Sequence, residues 1–171
     1  LGEFEAGGMA VTEAEPGGRG PWLTERSGEE ILRRYADPRP PELFRFFSND
    51  ELSAPISSGS YPVDAMVIIP CSMGTLGAIA SGRSDNLIER AADVALKEGR
   101  RLILVPRESP LNAIHLENML RLARLGARIV PAMPGFYHRP RTVEAVVDHI
   151  IGKVVSSLGL SQDCYPVWEG E

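Results

Sequence analysis

At 171 residues, with 43% hydrophobic and 24% charged, the chain has the composition of one soluble globular domain and is too short for two full ones. Its net charge of −5 argues against nucleic acid as the main partner, although small anions need only a few local positive charges. No apolar run reaches membrane-spanning length and no signal pattern opens the chain. Cys71 and Cys164 share no metal spacing with each other or with His115, His138 and His149, so a cytoplasmic, metal-free protein without a membrane segment is expected.

Residues 1–20 read as an irregular segment with one short strand at Met9–Thr12. A single α/β domain is expected over 21–160, followed by a tail over 161–171. A weak strand is predicted at Pro21–Thr24, and a helix over Ser27–Tyr35 is stopped by Asp37-Pro38-Arg39-Pro40-Pro41. Glu42 to Tyr61 reads as a long connection with a polar turn at Ser57-Ser58-Gly59-Ser60.

From Ala65 the pattern is regular. Ala65–Ile69 is a buried strand ending at Pro70, and Ser84 with Asp85 is predicted to start a helix carrying Leu87, Ile88, Ala91, Ala92, Val94 and Ala95. Arg101–Val105 is a second apolar strand. Ser109-Pro110 or Asn112 opens a helix running to Leu125, with Gly126 as its C-terminal cap, and Ala127–Val130 is a third strand. A last helix places Val143, Val146, Val147, Ile150, Ile151, Val154, Val155 and Leu158 on one face. Alternation of helices with strands apolar on both faces predicts a parallel sheet covered on either side.

In such sheets ligands bind beyond the carboxyl ends of the strands, which directs attention to Pro70-Cys71-Ser72-Met73-Gly74-Thr75-Leu76. Free backbone N–H groups at a helix start, with Gly74 permitting close approach, suit a phosphorylated or planar ligand, although an ordinary capped turn gives the same pattern. Cys71 has no nearby histidine and reads as a small buried residue. Arg107 ends the second strand, where its forked donors can grip an anion. Glu108 beside it can hold that arginine or handle protons, or the two can form a plain surface pair. Arg90 and Lys97 lie on one helix face, where Glu89, Asp93 and Lys97 also fit a solvated ladder. Pro134-Gly135-Phe136-Tyr137-His138-Arg139-Pro140 crowds aromatic and basic groups into a loop at the ligand edge, with His138 as readily a satisfied loop residue as a contact. Lys153 borders the last helix's apolar stripe, where it can snorkel or reach an anion.

These blocks, with Asn86–Glu98 and Val105–Leu111, closely resemble the UbiX-type flavin prenyltransferase family over about two-thirds of the chain, from Asp50 to Trp168. The resemblance implies a doubly wound, flavodoxin/Rossmann-like three-layer sandwich. It implies transfer of a dimethylallyl group from dimethylallyl phosphate to reduced FMN, at N5 and C6, the product serving a UbiD-type decarboxylase. Carried over by position, Ser72, Met73, Gly74, Thr75 and Arg107 correspond to FMN contacts, with Thr24 as a further hydroxyl. Tyr137 and Lys153 correspond to ligands of the prenyl phosphate, and Arg90, Lys97 and Glu108 to charged groups that serve phosphate and proton handling. The family further implies a homo-oligomer, commonly a dodecamer, with sites between subunits.

One feature departs from the family: its opening strand and Gly-Ala-Ser-Gly loop have no counterpart here, and Met9–Thr12 runs into Glu13-Ala14-Glu15-Pro16 instead. Two interior strand edges are then expected to be exposed. The alternative this raises is a non-catalytic FMN-binding or assembly subunit. Decarboxylation of the cysteine type, by a fold relative, ranks behind both for want of a matching histidine.

Overall fold

The computed structural model describes residues 8–12 and 44–165. The strand and helix expected before Asp37, together with Thr24 and Trp168, lie outside the described residues. The described elements are β1 (Gly8–Thr12), β2 (Phe44–Ser48), β3 (Ala65–Cys71), α1 (Met73–Ser81), α2 (Leu87–Lys97), β4 (Arg101–Pro106), α3 (Ala113–Arg124), β5 (Arg128–Ile129) and α4 (Val143–Leu158). All strand pairings are parallel, β1 with β2 and β3-β4-β5 in that order.

Strand alternation builds three layers. Ile68, Leu102 and Leu104 face α1, α2 and α3 through Leu76, Ile79, Ile88, Ala92 and Leu122. Ile103 and Val105 point the other way, against Val154 with Ile150 and Leu158 of α4. Each fully buried leucine or isoleucine contributes about 1.5–3 kcal/mol of transfer free energy, so β4, covered on both faces, anchors the domain. The parallel, helix-covered sheet matches the expected fold class.

Several local expectations need correction. β3 runs through Pro70 to Cys71, because a register irregularity between Ile68 and Cys71 accommodates a residue with no N–H. The presumed connection after Glu42 contains β2, whose Phe47 packs with Ile56, Leu87 and Ala91. Asn86, rather than Ser84, caps α2: its Oδ1 accepts from the Glu89 N–H at 2.9 Å, and Asp85 lies before the cap, paired with Arg83. Of the two expected openings for α3, Asn112 is the cap, in a reciprocal capping box with His115, and Gly126 follows the helix end at φ 96°.

The α4 stripe is only partly core. Val143 is 74% and Val147 49% exposed, whereas His149 and Gly152 are buried. At the far end of this helix, Arg101 donates to the Leu158 carbonyl and Arg128 to the Ser157 carbonyl at 3.3 Å. Cations there also favour the negative end of the helix dipole. Among the described strands, β1 and β3 each have a partner on one side only, so these strands form two sheets instead of one.

Candidate functional site at the carboxyl edge of the sheet

Register places the first part of the site. Cys71 of β3 is opposite Pro106 of β4, so Ser72 and Arg107 leave the sheet side by side, with strands about 4.8 Å apart. The β4 ladder continues outward through Val130 N–H to the Leu104 carbonyl (2.8 Å) and Ala132 N–H to the Pro106 carbonyl (2.9 Å). The 134–140 loop therefore starts at the same edge.

Ser72 caps α1, its Oγ accepting from the Thr75 N–H at 3.0 Å and lying 2.9 Å from Thr75 Oγ1. Thr75 is buried and Met73 packs against the core, so their side chains serve the fold and the main chain faces outward. A side chain at Gly74 would meet nothing nearer than Ser72 Oγ at 3.7 Å, which leaves room for a ligand against the backbone. Cys71 is fully buried, as expected of a structural residue. Arg107 is exposed, and among the described residues its guanidinium has no hydrogen bond or ion pair. Glu108 does not hold it. That carboxylate instead accepts from the Ser109 N–H at 3.0 Å.

The loop side is built around a residue that sequence reasoning passed over. The Arg139 N–H donates to the Phe136 carbonyl at 2.9 Å, closing a turn with Tyr137 and His138 at its corners. Tyr137 Oη lies 3.2 Å from Nε2 of buried His149, whose Nδ1 accepts from the Gly135 N–H at 3.2 Å. His138 stacks on His149 with ring centroids 5.0 Å apart, and Tyr165 meets His149 edge-on at 4.8 Å. Burial, then the charges of His138 and Lys153, push the His149 imidazole below its ordinary value. Lys153, one turn along α4, lies 5.3 Å above the Tyr165 ring. Hydrogen bonding to Tyr165, opposed by some burial and helped by electrostatic attraction toward the Tyr165 and Tyr137 oxygens, raises its ammonium. Tyr137 and Lys153 are thus brought to one cluster around His149 and Tyr165.

Arg90 and Lys97 are not. Arg90 donates from Nε to the Ser57 carbonyl at 3.0 Å and pairs with Asp93 at 3.2 Å, while Lys97 pairs with Glu98 at 2.8 Å. Neither the ladder with Glu89 nor a path to Arg107 forms within this chain: Glu89 is buried and accepts the Asp85 N–H at 2.9 Å. Lys97 and Glu98 press on Gly59, ahead of β3, and so sit toward the opposite edge of the sheet. The basic cleft there, lined by Arg100, Arg101 and Arg128, spends those cations on backbone carbonyls.

A parallel sheet with helices on both faces, a capped helix start and an unengaged arginine at one carboxyl edge define an α/β protein built to hold an anionic ligand. Comparison with known proteins sharpens that. A model of the family described as Flavoprotein matches residues 22–157. Flavin prenyltransferase UbiX of Halalkalibacterium halodurans is 55% identical over 126 residues, 74% of this chain and 61% of that one. The Methanocaldococcus jannaschii protein of the same name is 48% identical over 150 residues, 85% and 82% of the two chains.

Among solved structures, AnUbiX (PadA1) in complex with FMN and dimethylallyl pyrophosphate superposes with a TM-score of 0.76 at 39% identity, covering 88% of this chain and 76% of that one. A dodecameric FMN-dependent UbiX-like decarboxylase from Escherichia coli O157:H7 gives 0.75 at 44% identity, with 86% and 75% covered. The chain belongs to the flavoprotein family and, within it, to the UbiX-type flavin prenyltransferases. It spans about three-fifths of the length of the Halalkalibacterium relative and of its Pseudomonas aeruginosa counterpart.

Proposed function

We propose that the protein is a flavin prenyltransferase, transferring dimethylallyl from dimethylallyl phosphate to reduced FMN. The observation that carries this is the pairing of Cys71 with Pro106, which sets the Ser72 cap beside an Arg107 guanidinium that has no partner among the described residues. This donor set fits a flavin phosphate: backbone N–H groups at a helix start, a hydroxyl, a planar cation and open space over Gly74. Ser72 to Thr75 and Arg107 hold FMN in this reading, and Thr24 adds a hydroxyl.

When bound, reduced FMN supplies the nucleophilic ring that accepts the dimethylallyl group at N5 and C6. The chain's own work is electrostatic. As the allylic C–O bond breaks, negative charge grows on the departing phosphate, where the Tyr137 hydroxyl donates a hydrogen bond and the Lys153 ammonium, raised in its affinity for a proton, supplies a fixed positive charge. Glu108, next to Arg107 at the same edge, handles protons in this reading, and Arg90 and Lys97 complete the phosphate shell from a neighbouring subunit, which accounts for the separation of these two from the edge within one chain. The assembly in this reading is a homo-oligomer, a dodecamer like its Escherichia coli relative. Its product passes to a UbiD-type decarboxylase in the cytoplasm.

A second reading, a flavin-binding or assembly subunit without turnover, is favoured by the edge of β3 beside the Ser72 cap, which has no partner among the described strands. Anaerobic mixing of FMN-loaded, reduced protein with dimethylallyl phosphate separates the two: a change in flavin absorbance supports transfer, and its absence with FMN retained supports the subunit reading. Arg107→Ala should weaken FMN binding about tenfold or more. Tyr137→Phe should slow transfer with FMN binding unchanged. Two variants indistinguishable from the parent in binding and turnover would refute the site.

A further inference from the structure

His149 has no role in the reading above, yet it organises the cluster from which Tyr137 projects. It is 4% exposed, on α4, and both ring nitrogens are committed. The Gly135 N–H points at Nδ1 from 3.2 Å, so Nδ1 must present its lone pair. A neutral imidazole with a lone pair on Nδ1 carries its proton on Nε2. That proton faces Tyr137 Oη at 3.2 Å, and the phenol oxygen is therefore the acceptor. The phenol's own hydrogen is left to point elsewhere, from a side chain 65% exposed at the ligand edge.

The doubly protonated ring is excluded by the same geometry, since a second proton on Nδ1 would confront the Gly135 N–H. The other groups around it act in the same direction. His138 stacks on it at 26° with both of its ring nitrogens buried and unpartnered among the described residues. Tyr165 covers it from the tail, and Lys153 follows one turn along its own helix. Tyr137 and His138 from the loop, Lys153 from α4 and Tyr165 from the tail are the titratable groups facing the ring, and none is a carboxylate. Gly135 is also where the close approach is made, because a Cβ there would lie 2.6 Å from Tyr137 Cε1 and 3.3 Å from His149 Cε1.

We propose that His149 is a positioning residue: a neutral imidazole locked as the Nε2–H tautomer, which donates to the Tyr137 hydroxyl oxygen and so aims the phenolic proton at a phosphate oxygen of the substrate. This rests on the assignment of Tyr137 to the prenyl phosphate. A donated hydrogen bond also polarises the phenol and makes it a better donor in turn.

Nitrogen-15 magic-angle-spinning NMR of the histidine-labelled parent protein reads the tautomer without any substitution or turnover. The expected result at neutral pH is a protonated Nε2 and bare Nδ1 for His149, identified by the signal lost in His149→Phe or His149→Gln. An Nδ1–H tautomer or an imidazolium overturns the proposal. Carbon-13 tyrosine NMR is the second readout. At neutral pH His149→Phe should move the Tyr137 Cζ resonance from its parent position, and His149→Gln, which keeps an N–H donor near the Nε2 position, should bring it back toward the parent; an unmoved resonance in His149→Phe overturns the proposal.

In prenyl transfer, His149→Phe should lower turnover about five- to tenfold and add nothing further in a Tyr137→Phe background. An equal further loss there means that His149 acts independently of Tyr137 and refutes the proposal. Should Tyr137→Phe itself leave transfer unchanged, the site assignment falls, and with it the aim at phosphate. The two NMR readouts then report the His149–Tyr137 geometry by itself.

Discussion

Gly152→Ala is a substitution for which helix propensity and the tertiary structure forecast opposite signs. Gly152 lies inside α4, where alanine is favoured over glycine by about 1 kcal/mol. Here, however, a Cβ would stand 2.5 Å from Tyr165 Cε1, 2.6 Å from Cδ1 and 2.7 Å from Gln162 Oε1. Gln162 can move its amide end at small cost, but the tyrosine ring must leave. Its departure forfeits the edge-on contact with His149, about 0.5–1.5 kcal/mol, and the cation–π contact with Lys153, about 0.5–1 kcal/mol.

With some ring burial lost as well, the net expectation is a destabilisation of about 1 kcal/mol and a Tm lower by about 2–4 °C. In a Tyr165→Ala background the clash is gone, and the same substitution should stabilise by about 1 kcal/mol. Urea unfolding of the four proteins measures both steps. Equal stabilisation in the two backgrounds would refute the docking of the tail on α4.

Two further expectations concern stability. Asn86→Ala should cost about 1 kcal/mol by unfolding, through loss of the bond to the Glu89 N–H, while Ser84→Ala should be near neutral; the reverse order would restore Ser84 as the cap. The folded protein holds His149 below its ordinary value of 6.5, so beneath that pH the unfolded chain binds the extra proton. The contribution is complete above 6.5 and is lost as pH falls toward the lowered folded value. Urea midpoints from about pH 5 to about pH 8 should fall on the acid side, less steeply in His149→Phe; parallel profiles for the two proteins would contradict the burial of a neutral ring.

The elements legible in the sequence are those whose pattern is set by burial. β4 reads as a run of apolar residues because both of its faces are covered, and α4 reads as a helix because its stripe repeats for four turns. The same stripe misled on how much was core: Val143 and Val147 fit the period and are exposed, since periodicity marks a face without saying what covers it. β2 escaped because only Phe47 of its alternation reaches the core, alongside exposed Arg45, amid residues typical of turns.

The site divides in a similar way. Ser72 and Arg107 follow their strands in sequence, so strand endings located them. Arg90 and Lys97 share a helix face, but spacing on a helix does not say which edge of the sheet that face overlooks. His149 was hidden among the valines and isoleucines of α4, and its one sequence signal was its i, i+4 spacing to Lys153. Nothing local could show that a loop glycine 14 residues earlier supplies the N–H that fixes its tautomer.

The guanidinium groups of Arg101 and Arg128 grip the carbonyls of Leu158 and Ser157, nine and eight residues along α4 from His149 and so about 12–13 Å away. A helix is stiff along its axis, so the angle at which imidazole and ammonium are offered to the opposite rim is set partly from this remote anchorage. In the proposed transfer reaction, substitutions at this far end of α4 are therefore expected to be felt at the Tyr137 cluster, with the helix as the lever that carries them there.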